Sequence, residues 1–288
     1  MNGLEAAVAV DSYPELKRWI EGAPGEATAW RTSLGEDDPL AALLAGIAPR
    51  HYYFGSEFCE FLLPAAQVLK RALALVKDAQ RQLTLLTPIA CDGVIERLRE
   101  ILPLLPEGNE LVVNDWGVAS FARREFPHLR LAAGRLLCKM IKDPRLDNAV
   151  WAGLYPHGLG GRSFHALLDR LAVVRIELDL PPYAVPQLFS GLGISAALHA
   201  PYAYVSKGRL CKIGSLSLPI EQRYAPGREC QRECLSYAAT SERPGKDADL
   251  ETRQRGNTLF YRHTRAMSAA AAAAVAQGSL QRIVVHGE

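Results

Sequence analysis

Three of the six cysteines crowd one stretch, with eighteen residues between Cys211 and Cys230 and three between Cys230 and Cys234. On a helical turn Cys230 and Cys234 would stand at i and i+4 on one face, where one ion or cluster reaches both sulfurs. Thiolates are soft donors suited to zinc or to an iron–sulfur cluster. Their neighbours Lys212, Glu229, Gln231, Arg232 and Glu233 are charged or polar, company that core cysteines do not usually keep. Spacing alone therefore points to metal binding, with zinc and an iron–sulfur cluster level. Cys91 and Cys138 stand apart and read as small buried hydrophobes.

Other residues could handle an anion or a proton. Arg135 and Lys139 are four apart, with Lys142 and Arg145 following. On a helix the first two share a face, where an arginine would grip a carboxylate through two parallel bonds and a lysine would add a point charge. A dicarboxylate suits that pair; the competing reading is a solvated basic face. Asp115 reads first as the cap of a helix beginning at Trp116 and second as a proton acceptor. His199 is either a proton donor or a hydrogen-bonded histidine at a strand end. Tyr202 and Tyr204 alternate as pocket lining or as ordinary strand packing, and Asn257, a further substrate-binding candidate, follows Gly256 and so reads first as a turn residue.

The elements that must position these residues follow a βα rhythm. Short branched apolar runs near 6–10, 51–54, 82–87, 110–114, 130–132, 173–178, 194–199 and 282–286 read as strands. Helical periodicity covers 12–21, 64–79, 93–102, 116–125 and 265–276, with Ser12 as a cap and Pro64 in a first turn. About eight parallel strands is the number that closes a (β/α)8, TIM-like barrel, complete or incomplete, whose functional face lies beyond the strand C-termini. A doubly wound sheet would give the same local pattern. The whole of 1–288 is expected to form one barrel-like domain, with 22–46 an insertion or irregular excursion and 206–256 a cysteine-containing loop region.

Composition bounds the rest. The 288 residues are 49% apolar and 22% charged, with a formal charge of +2. Such a chain can bury a sizeable core, and its balance carries no footprint for duplex nucleic acid or an anionic membrane. The acidic start lacks the order of a secretory signal, and the alanine-rich run 266–276 is too short to span a bilayer. A cytoplasmic protein with thiols available for metal is the expectation. Neither a His-Glu-x-x-His motif nor a Gly-x-Ser-x-Gly elbow is present, so proteolysis has little support.

Several runs, in order, carry a family likeness. Tyr53-Phe54-Gly55-Ser56-Glu57-Phe58-Cys59 resembles the strand-end cysteine motif of the UbiU/UbiV-like members of the collagenase-like peptidase family, family U32. Asn114-Asp115-Trp116-Gly117-Val118 resembles that family's Asp-x-Gly-Val turn, and Leu131-Ala132-Ala133-Gly134-Arg135 its next strand and glycine. His199-Ala200-Pro201-Tyr202-Ala203-Tyr204, then Cys211, Cys230 and Cys234, is similar to its His-x-Pro and terminal cysteines, and Gly256-Asn257-Thr258 to a later loop. The resemblance implies a barrel and one 4Fe-4S cluster on Cys59, Cys211, Cys230 and Cys234; it alone supplies the fourth ligand and moves the metal from zinc to iron. It further implies oxygen-independent hydroxylation, of a ubiquinone precursor or an RNA base, with prephenate as oxygen source. A non-catalytic iron–sulfur subunit paired with a second family member is the alternative. The long Cys211–Cys230 gap and residues 22–46 depart from the pattern.

Overall fold

Side-chain alternation along the strands decides how this chain closes. The computed structural model describes residues 3–22, 26–140, 142, 158–223, 229–241 and 250–287. Eight parallel strands form a closed barrel in the order β1-β12-β7-β6-β5-β4-β3-β2. They are β1 (Glu5–Val10), β2 (Pro49–Gly55), β3 (Gln82–Leu86), β4 (Glu110–Val113), β5 (Arg130–Ala133), β6 (Val173–Leu178), β7 (Ser195–Ala200) and β12 (Arg282–His286). All eight coincide with the runs read from the sequence to within a few residues. Because successive side chains point to opposite faces, one set packs outward against the helices and the other fills the barrel.

The filling is unusual. Its apolar part is small: Ala7, Ala9, Tyr53, Leu86, Val112, Ala132, Ala197 and Val284. Four alanines leave room for long polar side chains from the same inward positions. His51, Thr84, Glu110, Arg175, Glu177, His199 and Arg282 are all buried there. Glu110 accepts Arg175 Nη1 and Nη2 at 2.7 and 3.0 Å, Arg282 Nη1 at 2.6 Å and the Thr84 hydroxyl at 3.0 Å. An ion network, in place of the usual branched aliphatic layers, holds the lower barrel.

The helices expected at 12–21, 64–79, 93–102, 116–125 and 265–276 are found as Tyr13–Glu21, Ala66–Asp78, Asp92–Ile101, Trp116–Glu125 and Arg265–Ala276. Ser12 caps the first, its hydroxyl accepting the Glu15 amide at 3.3 Å. Pro64 precedes the cap residue Ala65 and so is not in a first turn. Within the 22–46 stretch, the described residues from 26 onward are more regular than its glycines and charges suggested. They hold helices Glu26–Leu34 and Pro39–Leu44, anchored by Trp30, which is fully buried and donates Nε1–H to the Ile47 carbonyl at 3.0 Å.

The 206–256 region is likewise not simply loop. A second sheet, in the order β8-β11-β10-β9, lies in sequence between β7 and β12. Its strands are β8 (Tyr202–Lys207), β9 (Ala239–Ser241), β10 (Thr252–Arg255) and β11 (Thr258–Arg262), paired antiparallel throughout. Among the described residues no helix is long and apolar enough to cross a membrane.

Candidate functional site

The turn Gly256–Asn257, between β10 and β11, joins three stretches that carry cysteines. Gly256 has φ +57°, the left-handed region that costs glycine nothing, and a Cβ there would stand 3.3 Å from Cβ of Cys234. The Gly256 carbonyl accepts the Ile213 amide at 3.3 Å, two residues from Cys211. Asn257 Nδ2 donates to the Phe58 carbonyl at 2.9 Å, next to Cys59, and to the Gly208 carbonyl at 3.0 Å. Asn257 is thus a turn residue, as its sequence setting suggested, and it ties the cysteine segments to the C-terminal end of β2.

Local bonds orient the thiols. Ser56 Oγ accepts the Phe58 and Cys59 amides at 3.2 and 3.3 Å, folding the chain after β2. Cys211 Sγ accepts the Gly214 amide at 3.3 Å and Cys230 Sγ the Arg232 amide at 3.4 Å. Cys234 is buried and, with Cys59, lines a cavity of ≈60 Å³ at the barrel mouth. Burial, and then the charges of the other thiols, raise the Cys59 and Cys211 thiols and push Cys234 up to about 12. Neighbouring thiols ionise together only where a positive centre offsets their charges.

All six cysteines are free thiols. Among the described residues no three His, Cys, Asp or Glu side chains are gathered as ligands of one metal ion. Ligands of a polynuclear cluster stand farther apart than those of a single ion, because the inorganic core lies between them. Cys59, Cys211, Cys230 and Cys234 are soft donors of the chemical type that such a group takes. The helical i and i+4 spacing suggested for Cys230 and Cys234 is not what joins them, since Glu233–Leu235 is a single 3-10 turn and Arg232 is left-handed at φ 57°. Cys138 is buried with its thiol donating to the Ala133 carbonyl at 3.4 Å, as a small core residue would be. Cys91 is exposed and donates to Glu60 Oε2 at 2.8 Å, so it is not a core residue.

Arg135 departs most from its sequence reading. Residues 134–140 hold no helix, so the four-residue spacing from Lys139 confers no shared face; Lys139 is exposed and Arg135 fully buried. Arg135 donates Nε–H to Glu57 Oε2 at 2.8 Å and Nη1–H to Asp179 Oδ1 at 3.0 Å, with a further bond from Nη2 to Glu57. Lys142 donates Nζ–H to the other Asp179 oxygen and lies 3.3 Å from the Tyr204 ring centroid. Arg145 lies outside the described residues. Arg135 and Lys142 therefore neutralise two carboxylates, which leaves the Arg135 fork no place to grip a ligand.

Asp115 is a helix cap: its Oδ1 accepts the Gly117 and Val118 amides at 2.7 and 3.2 Å. His199 lies wholly inside the barrel below the mouth. Tyr202 lines a second cavity of ≈160 Å³ with Cys234, Arg253, Arg255 and Phe260, and its hydroxyl accepts Arg253 and Arg262 Nη1–H at 3.0 Å each. Cys59, Cys234 and Asn257 thus line one cavity and Cys234 with Tyr202 the other, while Asp115 and Lys139 line neither. Sequence reading missed Glu57, Asp179, His286, Arg253 and Arg255. The one available signal was charge at inward strand positions, as in Arg175-Ile176-Glu177-Leu178-Asp179.

At the rim, Arg255 Nη2 pairs with Asp11 Oδ2 at 3.1 Å, and the Asp11 amide donates to Glu15 Oε2 at 3.0 Å. Burial and then the Asp11 charge push the Glu15 carboxyl up to about 7 from 4.5. A raised pKa means stability that is full below 4.5 and lost as pH rises through 7. Glu15→Gln is expected to remove that loss, making the variant about 2–3 kcal/mol more stable than wild type at pH 8 and equal to it near pH 4. Urea midpoints at both values check this; a difference independent of pH refutes it.

No family model matches the chain, and no curated protein matches it in sequence. Among solved structures, a U32 peptidase aligns over 100% of this chain and 94% of its own at 10% identity, with a TM-score of 0.47. A glycoside hydrolase family 18 N-acetylglucosaminidase from Paenibacillus barengoltzii aligns over 100% and 95% at 10% identity and TM-score 0.36. An Oleispira antarctica phosphodiesterase aligns over 68% and 84% at 11% identity and TM-score 0.35. The barrel itself stands on its own strand order and register.

Proposed function

We propose that this chain is a cytoplasmic iron–sulfur protein of the UbiU/UbiV type, holding one 4Fe-4S cluster on Cys59, Cys211, Cys230 and Cys234 and acting in oxygen-independent hydroxylation. The observation that supports the reading is the Gly256–Asn257 turn, which packs on Cys234 and hydrogen-bonds the segments next to Cys59 and Cys211, all free thiols. When bound, the cluster would supply electron transfer beside the cavities. Anion recognition, expected of Arg135 and Lys139, is assigned here to Arg253, with Arg255 beside it sharing its charge with Asp11 at 3.1 Å. With the rings of Tyr202 and Phe260 they line the cavity next to Cys234, a lining suited to a cyclic carboxylate such as prephenate.

The second reading, a non-catalytic subunit paired with another family member, is favoured by a separate observation. Leu216, Ile220 and Tyr237, all in the cysteine-bearing segment, are 56%, 68% and 68% exposed, more apolar surface than a solvated loop needs.

Anaerobic purification with iron and acid-labile sulfide analysis tests the proposal. About four irons per chain are expected, with loss in alanine variants of each of the four cysteines. Cys91→Ser and Cys138→Ser are expected to keep the full content. Stoichiometric zinc without sulfide, or no metal, overturns the proposal.

A further inference from the structure

Inside the barrel runs a chain of polar side chains that reaches the cavities at one end only, through His286. His286, on β12, lines both cavities, and His199, on the adjacent β7, is fully buried. His199 Nδ1 stands 3.0 Å from His286 Nε2, and His199 Nε2 stands 3.0 Å from Glu177 Oε2. The other oxygen of Glu177 accepts the Tyr53 hydroxyl at 3.0 Å and Arg175 Nε–H at 2.9 Å. Burial raises the Glu177 carboxyl, but Arg175 and the His199 bond outweigh it and hold the group at about 2. Glu177 is therefore ionised and can only accept.

Donor and acceptor roles then propagate outward. His199 must carry its hydrogen on Nε2, facing Glu177. With that single ring hydrogen His199 accepts at Nδ1, and in this arrangement His286 donates from Nε2 and keeps a lone pair on Nδ1; it is the arrangement the proposal below assigns. Burial, and next the Arg135 charge, hold the His286 imidazole well below the ordinary histidine range and so uncharged. That Nδ1 has no hydrogen-bond partner among the described residues. It is the free nitrogen of a residue that lines both cavities.

We propose that Glu177 and His199 are positioning residues that fix His286 as the proton acceptor of a binding site for a ligand bearing an acidic hydroxyl. In the step this permits, the ligand O–H bond breaks and an N–H bond forms at His286 Nδ1. The hydrogen on His286 Nε2 passes to His199 Nδ1, so the positive charge comes to rest on His199, 3.0 Å from the Glu177 carboxylate. The ligand remains as an oxyanion in cavities that Arg255 also lines. One proton moves from ligand to His199 and no electron is transferred, so the relay is independent of whether the cysteines hold a cluster.

Ring-nitrogen NMR of the full chain labelled at histidine tests this at neutral pH, with assignments from His286→Gln and His199→Gln. Wild type is expected to show His286 protonated at Nε2 and bare at Nδ1, and phenol, as a hydroxyl probe, is expected to shift that bare resonance. In Glu177→Gln, Tyr53 and Arg175 retain the amide oxygen and the NH2 group faces His199. Both rings must then exchange tautomers, and the bare Nδ1 signal of His286 is lost. A merely structural Glu177 would not move it. A hydrogen on Nδ1 of His286 in wild type, no response to phenol, or an unchanged tautomer in folded Glu177→Gln overturns the proposal. Should that variant not fold, the wild-type tautomer and the phenol response decide.

Discussion

Arg135→Met is expected to cost about 3–5 kcal/mol of folding stability, the usual penalty for removing one partner of a buried ion pair. Methionine fills much of the volume but leaves Glu57 and Asp179, both about 2% exposed or less, without the guanidinium that neutralises them. Lys142 still reaches Asp179, so Glu57 bears most of the loss. Glu57 stands two residues from Cys59, and its Oε1 accepts the Arg135 backbone amide at 3.4 Å. Disturbing it should therefore loosen the loop that presents Cys59 as well as destabilise the fold. Urea denaturation measures the loss of stability, and the rate at which Cys59 reacts with a thiol reagent measures the loosening of the loop. A variant as stable as wild type would show that the pair carries no net energy.

Glu110→Gln is expected to have a comparable effect, on the order of 3–5 kcal/mol, because two arginines lose one carboxylate at once. Burial raises the Glu110 carboxyl, and the guanidiniums of Arg175 and Arg282 more than reverse that, holding it far below the usual range. A depressed pKa contributes stability that is present above the unfolded value near 4.5 and lost as pH falls toward the folded one. Wild type should thus weaken steeply below pH 4.5, and Glu110→Gln should be weaker at neutral pH with a flatter acid limb. Parallel acid limbs would place the acid sensitivity elsewhere. His51, pushed down from 6.5 to about 4 by burial and then Arg282, adds a loss of stability that begins at higher pH, as pH falls from 6.5 toward 4. Its double variant with Glu110 separates the two contributions.

The eight barrel strands were legible because each is a branched apolar run bounded by turn residues, a pattern set by local alternation and needing no knowledge of neighbours. Asp115 as a cap and Asn257 as a turn residue were legible for the same reason, since each depends on residues within three positions. The cysteine triplet was visible as a cluster through its charged company. Cys59 was not, because 151 residues of chain separate it from Cys211, and only the family resemblance joined them.

Tertiary structure decided the rest. Residues 22–46 carry glycine and charge that read as irregular, yet Trp30 finds a buried site and a carbonyl partner that no local pattern predicts. Strands β8 to β11 alternate weakly and pair across a long excursion, so their sheet is specified by partners and not by period. Arg135 looked like a surface cation beside Lys139; its burial follows from Glu57 and Asp179, 78 and 44 residues away, which no spacing rule connects. Sequence by itself determined the eight βα strands and some of the residues that could do chemistry; closure into a barrel is decided by the strand pairing. Which of them share a site was settled only where the closed barrel brings β2, β6, β7 and β12 together, because the charge of a buried group depends on neighbours that only folding supplies.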